Sequence, residues 1–120
     1  MAKAMLFNIT GDKLKKLYFL CMQYGITALE GRGEDWGRPL GTLLGKMGYS
    51  TATTLDAPCS EEMLVLDGFS DHQFHGLLGG MQALQAPVTY KAVTTEHNLS
   101  WTPARLLREL VAEHETMQNR

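Results

Sequence analysis

Asp67 is the polar residue of this chain that is best placed to do chemistry. It follows the apolar run 63–66, which predicts a buried strand, and the ligands of open sheets gather where such strands end. His97 follows the next predicted strand and could complete a small acid–base site with Asp67. One carboxylate does not make an acid–base pair by itself, so we favour a non-enzymatic protein over a small enzyme built around these two residues.

Two tryptophans, Trp36 and Trp101, each stand in a polar stretch before a predicted helix. The N-terminus of a helix offers unpaired N–H groups and the positive end of the dipole, which favour an anion, and a neighbouring indole could stack on a ring. The candidate ligand-binding residues are therefore Asp67, Asn98, Ser100, Trp101, Trp36 and Arg38. Alternatively, each Trp and the Pro that follows it fix how a helix docks on the sheet, and their repetition favours this interpretation.

Glycines recur at intervals of four residues in two predicted helices. The members of this pattern are Gly37, Gly41, Gly45, Gly76 and Gly80. A glycine inside a helix costs roughly 0.5–1 kcal/mol relative to alanine, so such rows need a reason. Small residues on one face allow close approach of another helix, including a contact between two copies of the chain, or of a flat ligand. We favour packing and predict these glycines as interface residues.

The familiar catalytic and metal-binding patterns are missing from the sequence. His72 and His75 resemble half of a metal site, but no further Cys or His pair has a suitable spacing, so we interpret them as solvated residues of a first helical turn. Ser70 lacks the Gly-x-Ser-x-Gly pattern of a nucleophile turn, and neither a P-loop nor a dinucleotide-binding fingerprint is present. No metal and no cofactor are predicted.

Hydrophobic periodicity predicts four strands and four helices. The strands cover residues 5–9, 26–30, 63–66 and 88–94. Ser70 opens a Ser-x-x-Gln capping box for the third helix, and Ser100 is the predicted N-cap of the fourth. The apolar stripes that should face the core include Leu40, Leu44 and Met47 in the second helix and Met117 in the fourth.

The same order of elements occurs twice, and each copy ends in a polar loop, a Trp, a Pro and a helix. Residues 4–48 and 63–117 are thus predicted to be two pseudo-symmetric βαβα halves of an α/β (α+β-like) protein, joined by the connector 49–62. The first and third strands are nearly continuous apolar runs and should be central in a four-stranded sheet. Strand orders 2-1-3-4 and ferredoxin-like 4-1-3-2 both fit; we favour 2-1-3-4, with helices on both faces.

Length and composition predict one domain, residues 1–120, with an ordinary globular content of 44% hydrophobic residues. The formal net charge of −2 gives no basic field for phosphate backbones, so nucleic acid is not a predicted partner. No apolar stretch reaches the length of a membrane span. We interpret Cys21 and Cys59 as free thiols, which favours a reducing, cytoplasmic location.

The segments MLVLDGFSDHQF and PVTYKAVTTEHNLSW, with DWGRPLGTLLG upstream, carry a resemblance that spans most of the chain. They resemble a family of small bacterial proteins described only as a domain of unknown function. The resemblance implies no activity, cofactor or catalytic residue. The glycine-rich stretch 76–80 departs from the leucine- and alanine-rich helix of that family.

These features together predict a non-enzymatic cytoplasmic module for protein interaction or self-association, with a homodimer or a protein partner. One alternative is a small-ligand or anion-binding regulatory domain that uses the Trp-bearing helix N-termini, with a ligand that the sequence does not identify. The small enzyme around Asp67 and His97 is the other.

Overall fold

The computed structural model describes residues 1–118, which form four strands and four α-helices. The strands are β1 (Lys3–Phe7), β2 (Thr27–Gly31), β3 (Met63–Asp67) and β4 (Tyr90–Val93). The helices are α1 (Gly11–Gln23), α2 (Leu40–Leu43), α3 (Asp71–Ala83) and α4 (Pro103–Gln118), and 3-10 turns cover Gly33–Gly37 and Asn98–Ser100. No helix in this part of the chain combines the length and the apolar character needed to cross a bilayer.

The sheet has the order β2-β1-β3-β4, which confirms the order 2-1-3-4 and not the ferredoxin-like alternative. Both outer pairs are parallel, whereas β1 and β3 are antiparallel, with Lys3 opposite Asp67 and Phe7 opposite Met63. The carboxyl ends of β1 and β2 therefore lie at one end of the sheet. Those of β3 and β4 lie at the other end, so polar residues that follow the two pairs are kept apart.

Helices cover both faces of the sheet, as the continuous apolar runs of β1 and β3 require. On one face, Leu6 and Leu66 pack with Leu17 of α1 and Leu77 of α3. The opposite face has a separate core, whose largest members are Phe7, Met63, Trp36, Leu40 and Leu107. The α1/α3 layer and the α2/α4 layer thus bury the central strands from both sides.

The two halves follow the same local plan. In the sequence, β3 begins as far after β1 as α3 begins after α1, and both helices have 13 residues. The strand-to-helix turns begin with left-handed residues, Asn8 (φ 61°) and Gly68 (φ 71°), and the helices are followed by another such pair, Gly25 (φ 68°) and Gln85 (φ 56°). These parallels agree with an internal duplication, which stays a prediction.

The second helix is much shorter than its apolar stripe predicts. Pro39 is extended (ψ 140°) and separates the 3-10 turn from α2. Gly45 (φ 78°) and Gly48 (φ 90°) are left-handed, and such residues follow the end of a helix. The prediction for Leu40 and Leu44 is correct, since both are buried, but Met47 is 94% exposed, and its assignment to the core was wrong.

The fourth helix begins two residues later than predicted. The N–H of Arg105 donates to Oγ1 of Thr102 at 3.2 Å, so Thr102 is the N-cap. The Ser100 hydroxyl instead donates to the carbonyl of His97 at 3.2 Å. Met117 is exposed near the end of the helix, which corrects its predicted place on the inner face.

Candidate functional site

Asp67 is held at the carboxyl end of β3 by side chains from two other segments. It is 6% exposed, its Oδ1 accepts a hydrogen bond of 2.6 Å from the Thr94 hydroxyl, and its Oδ2 lies 3.3 Å from Nζ of Lys46. Nearby, Nζ of Lys3 donates to the carbonyl of Leu44 at 2.6 Å. The carboxylate therefore joins β3 to the end of β4 and to the segment after α2, which gives both of its oxygens a structural partner.

Asn98 is a second buried polar residue, 8% exposed, and it caps the outer edge of β4. Its Oδ1 accepts from the N–H of Thr95 at 2.8 Å, and its Nδ2 donates to the carbonyl of Val93 at 3.1 Å. The N–H of Thr94 donates to Leu66 in β3, so the alternation of a strand turns the backbone groups of Val93 outward. Asn98 thus occupies positions where a fifth strand would bond.

The predicted acid–base pair has separate surroundings. Asp67 bonds to Thr94 and Lys46, whereas His97 is exposed and contributes its backbone carbonyl to Ser100. Proton transfer needs donor and acceptor within hydrogen-bond reach of a common substrate. An enzyme around Asp67 and His97 gains no support from these contacts.

Trp36 lies at the opposite end of the sheet from Asp67. Its ring centroid is 4.7 Å from that of Phe7, the last residue of β1, and its side chain is only 1% exposed. Phe7 lies four residues, about 13 Å, along β1 from Lys3, and Lys3 is the residue that pairs with Asp67. The arrangement therefore leaves Trp36 no ring face for a ligand and keeps it away from Asp67.

Arg38 and Trp101 also have partners within the chain. The Arg38 guanidinium lies 2.8 Å from a carboxylate oxygen of Glu34 and 3.4 Å from one of Asp35. The guanidinium of Arg105 covers the Trp101 ring at 4.2 Å, and the Trp101 carbonyl accepts a 2.9 Å hydrogen bond from the N–H of Leu40. These contacts support the docking interpretation of the tryptophans; ligand binding at these positions stays a prediction.

The glycine rows allow close packing within the chain. A Cβ at Gly41 would overlap the ring of Tyr49, and one at Gly37 would lie 2.5 Å from the carbonyl oxygen of Thr54. In α3, a Cβ at Gly76 would overlap the ring of Tyr24, and one at Gly80 would overlap Leu20 of α1. Gly45 differs, because its φ of 78° favours glycine by itself. Close approach explains four of the five glycines, and a role between copies stays a prediction.

An apolar groove between α3 and β4 was missed by the sequence-based reasoning. Two cavities of about 600 and 210 Å³ share Leu78 and Lys91 in their linings. Other apolar lining residues are Phe74 and Met81 of α3, Pro87 and Val88 of the linker, and Leu66 and Val93 of the sheet. We call this surface the α3–β4 groove. Val93 on its rim is 49% exposed, and the outer edge of β4 pairs with no other strand of the sheet.

The groove follows from how α3 is placed. Gly76 and Gly80 bring α3 against α1, and α1 lies over the half of the sheet that contains β1 and β2. Helix α3 therefore covers Leu64 and Leu66 of β3 and leaves the β4 edge open. One sequence signal was available. The apolar stripe of α3 includes Phe74 and Leu78, and it is wider than the contact of α3 with α1 requires.

The thiols and the metal-ligating residues do not form a site. Burial raises the pKa of the Cys21 thiol to about 11, and burial also raises the pKa of Cys59. Both cysteines are free. Among residues 1–118, no three His, Cys, Asp or Glu side chains are grouped closely enough to hold a metal ion.

The family comparison matches the half of the chain that carries the groove. Residues 62–117 match the model of a domain of unknown function, DUF3783. This match confirms the resemblance to an uncharacterised family for the second half, while the upstream segment DWGRPLGTLLG lies outside it. No curated protein and no solved structure matches the chain. The matched range contains Asp67, Asn98 and all the lining residues of the α3–β4 groove.

Proposed function

We propose that the protein is a non-catalytic interaction module that binds an extended segment of another protein along the α3–β4 groove. The observation that carries this proposal is the part of the outer edge of β4 around Lys91, which pairs with no strand of the sheet and lies beside an apolar surface. A strand edge supplies main-chain hydrogen bonds to an added strand, and flanking pockets receive alternate side chains of that strand. The groove offers both kinds of contact along the same few residues.

The size and chemistry of the groove support a peptide as the occupant. Its larger cavity, about 600 Å³, falls within the roughly 300–1,000 Å³ typical of binding sites. Leu78 and Phe74 are only partly covered, so an apolar side chain from a partner would remove them from water. Each Å² of apolar surface buried in this way contributes about 25 cal/mol before the entropic cost of association.

The polar residues support a non-catalytic role. Asp67, Asn98 and Arg38 direct their hydrogen-bonding groups to other parts of the same chain. Such contacts position loops and cap an edge, whereas catalysis needs groups aimed at a substrate. The two free thiols support a reducing compartment, and we therefore propose a cytoplasmic location.

Self-association is the second candidate, because an exposed strand edge can also pair with a second copy of the chain. The exposed Val93 is the observation that favours it. Sedimentation at several concentrations measures this directly. A dimer that Leu78→Asp dissociates would favour a second copy over a foreign segment as the occupant.

Peptide selection tests the proposed function. A displayed library of random 12-residue peptides is selected against the wild-type protein, against Leu78→Asp and against Phe19→Asp. Phe19 is an exposed residue of α1 outside the groove, so it receives the same new charge and serves as the control. We expect wild type and Phe19→Asp to enrich peptides with alternating apolar residues, and Leu78→Asp to lose them.

A change in the peptide separates strand addition from simple apolar contact. Methylating alternate backbone nitrogens of an enriched peptide removes N–H donors and leaves its side chains in place, with the protein unchanged. We expect one methylation register to abolish binding and the other to preserve it, because only one edge of a strand faces β4. Wild-type protein that enriches no peptide sequence, or that binds both methylated forms equally well, contradicts the proposal.

A further inference from the structure

We infer that the α3–β4 groove selects a segment that carries a carboxylate beside its apolar residues, and that Lys91 recognises this carboxylate. The inference rests on the proposed function and names the chemistry of its partner. It follows from the charge of the groove and from the part of the β4 edge that is open to pairing.

Lys91 is the charged residue of the groove. It lines both cavities, and neither lining contains an acidic side chain or a second basic one. Its neighbours there are apolar or neutral, such as Gln82, Gln85 and Thr89. An apolar peptide alone would leave the ammonium group partly desolvated without a counter-charge, which costs free energy. A carboxylate in the bound segment would offset that cost.

The position of the Lys91 ammonium group suits such a contact. Its Nζ donates to the carbonyl of Val88 at 2.6 Å, which holds the exposed side chain against the groove. That bond uses one of three N–H donors. Lys91 takes part in none of the ion pairs formed within residues 1–118. The ammonium group is therefore held in place and keeps donors for an incoming carboxylate.

The edge of β4 fixes where that carboxylate must lie. The backbone groups of Lys91 and Val93 point outward, because those of Thr94 point to β3. The edge is closed from the carbonyl of Val93 onward, since Asn98 bonds that carbonyl and the N–H of Thr95. An added strand thus bonds mainly around Lys91, and its acidic residue lies at or next to the position opposite Lys91.

Charge also argues for a foreign segment over a second copy. Two copies joined edge to edge would bring one Lys91 each to the same groove region, and like charges on facing strands are destabilising. A partner with an Asp, a Glu or a terminal carboxylate has the complementary charge. We therefore commit to an extended, apolar, acid-bearing segment of another protein.

The test is the same library selection, carried out with Lys91→Gln, Lys91→Glu and the control Lys15→Gln, which removes an exposed lysine of α1. We expect wild type and Lys15→Gln to enrich one Asp or Glu at a fixed place in the apolar pattern. Lys91→Gln should keep the apolar pattern and lose the acidic preference, and Lys91→Glu should select Lys or Arg there instead.

A synthetic peptide taken from the wild-type selection gives the magnitude. Fluorescence polarisation should show that Lys91→Gln weakens the Kd by about 2- to 5-fold, the range expected for a solvent-exposed ion pair. Raising sodium chloride from 0.05 to 0.5 M should weaken wild-type binding more than Lys91→Gln binding, because salt screens exposed charges.

Each outcome decides a different point. Apolar enrichment without an acidic preference, or an acidic preference that Lys91→Gln retains, overturns the role of Lys91 and leaves the proposed function standing. Failure of the folded wild-type protein to enrich any peptide overturns both. Enrichment of a terminal carboxylate over Asp and Glu supports the inference and identifies the source of the charge.

Discussion

The close packing of α3 against α1 predicts that alanine has different effects on stability at two adjacent glycines of α3. Gly79 and Gly80 are neighbours in the same helix, so alanine at either position changes the helix propensity by the same amount. Only Gly80 faces α1, where Leu20 lies against it, whereas a Cβ at Gly79 would meet nothing within 4 Å. Gly79→Ala is therefore a matched control for Gly80→Ala.

The magnitude follows from two opposing terms. Alanine in place of glycine inside a helix stabilises it by roughly 0.5–1 kcal/mol, and at Gly79 this gain is the whole expected effect. At Gly80 the added methyl group would overlap Leu20 Cδ2, and it would lie 3.2 Å from Cδ1 and 3.3 Å from Cγ. Leu20 is buried, so overpacking costs about 1–3 kcal/mol. Gly80→Ala should be less stable than Gly79→Ala by this amount.

Thermal and urea unfolding of the purified proteins measure the difference. For a chain of this size, 1 kcal/mol corresponds to a shift in Tm of roughly 3–6 °C. We expect Gly79→Ala to melt above wild type and Gly80→Ala to melt below Gly79→Ala by several degrees. Equal melting temperatures for the two variants would refute the claim that the helices meet through Gly80.

Three further predictions concern buried groups. Asp67→Asn should lower the free energy of unfolding by about 1–3 kcal/mol. The control Asp12→Asn removes an ion pair of the same 3.3 Å length whose carboxylate is exposed, and it should change that free energy by less than about 0.5 kcal/mol. Equal losses in urea unfolding would contradict this prediction. Asn98→Ala should speed hydrogen exchange at the Thr95 amide and promote association at high concentration, and unchanged exchange would refute the edge cap. Burial raises the pKa of the Cys21 thiol to about 11. The contribution of the protonated thiol to the free energy of unfolding should therefore be complete below pH ~8.5 and lost as the pH rises through 11. Cys21→Ala should flatten the fall of Tm over that range, and an unchanged slope would count against this.

The central position of β1 and β3 was accessible from the sequence because burial determines the composition of a strand, whereas the strand orders 2-1-3-4 and 4-1-3-2 both fitted that composition. A strand that is covered on both faces needs apolar residues at consecutive positions, and β1 and β3 have them. The mixed composition of residues 88–94 correctly indicated an edge strand. The same reasoning gave a cap for α3, where Ser70 accepts from the N–H of Gln73 at 3.1 Å.

The length of the second helix was not accessible, because it depends on dihedral angles at single residues. The periodic stripe identified Leu40 and Leu44 as buried. It could not show that Pro39 would be extended or that Gly45 would adopt a φ of 78°. A glycine in a helical pattern can be a packing surface or a stop signal, and sequence spacing does not separate the two.

The candidate site was only partly accessible for a similar reason. Asp67 was identified as a strand-end carboxylate, and that is its position. Its partners come from the segment after α2 and from the end of β4, and neither Lys46 nor Thr94 is marked by any spacing in the sequence. The glycine rows indicated close contacts, but a glycine does not specify which side chain will approach it.

The groove shows why a binding surface can escape sequence analysis even when every element that forms it is found. Its opening depends on the lateral position of α3, and Gly76 and Gly80 set that position because they leave room for Leu20 of α1 and for Tyr24, which follows α1. A larger residue at either glycine would force α3 away from α1, toward the open side of the sheet where Val93 is exposed. The residues that stabilise the α1/α3 layer and the residues that keep the β4 edge accessible are thus physically coupled, although none of the glycines lines the groove. A variant with a larger residue at Gly76 or Gly80 should therefore lose both peptide binding and stability.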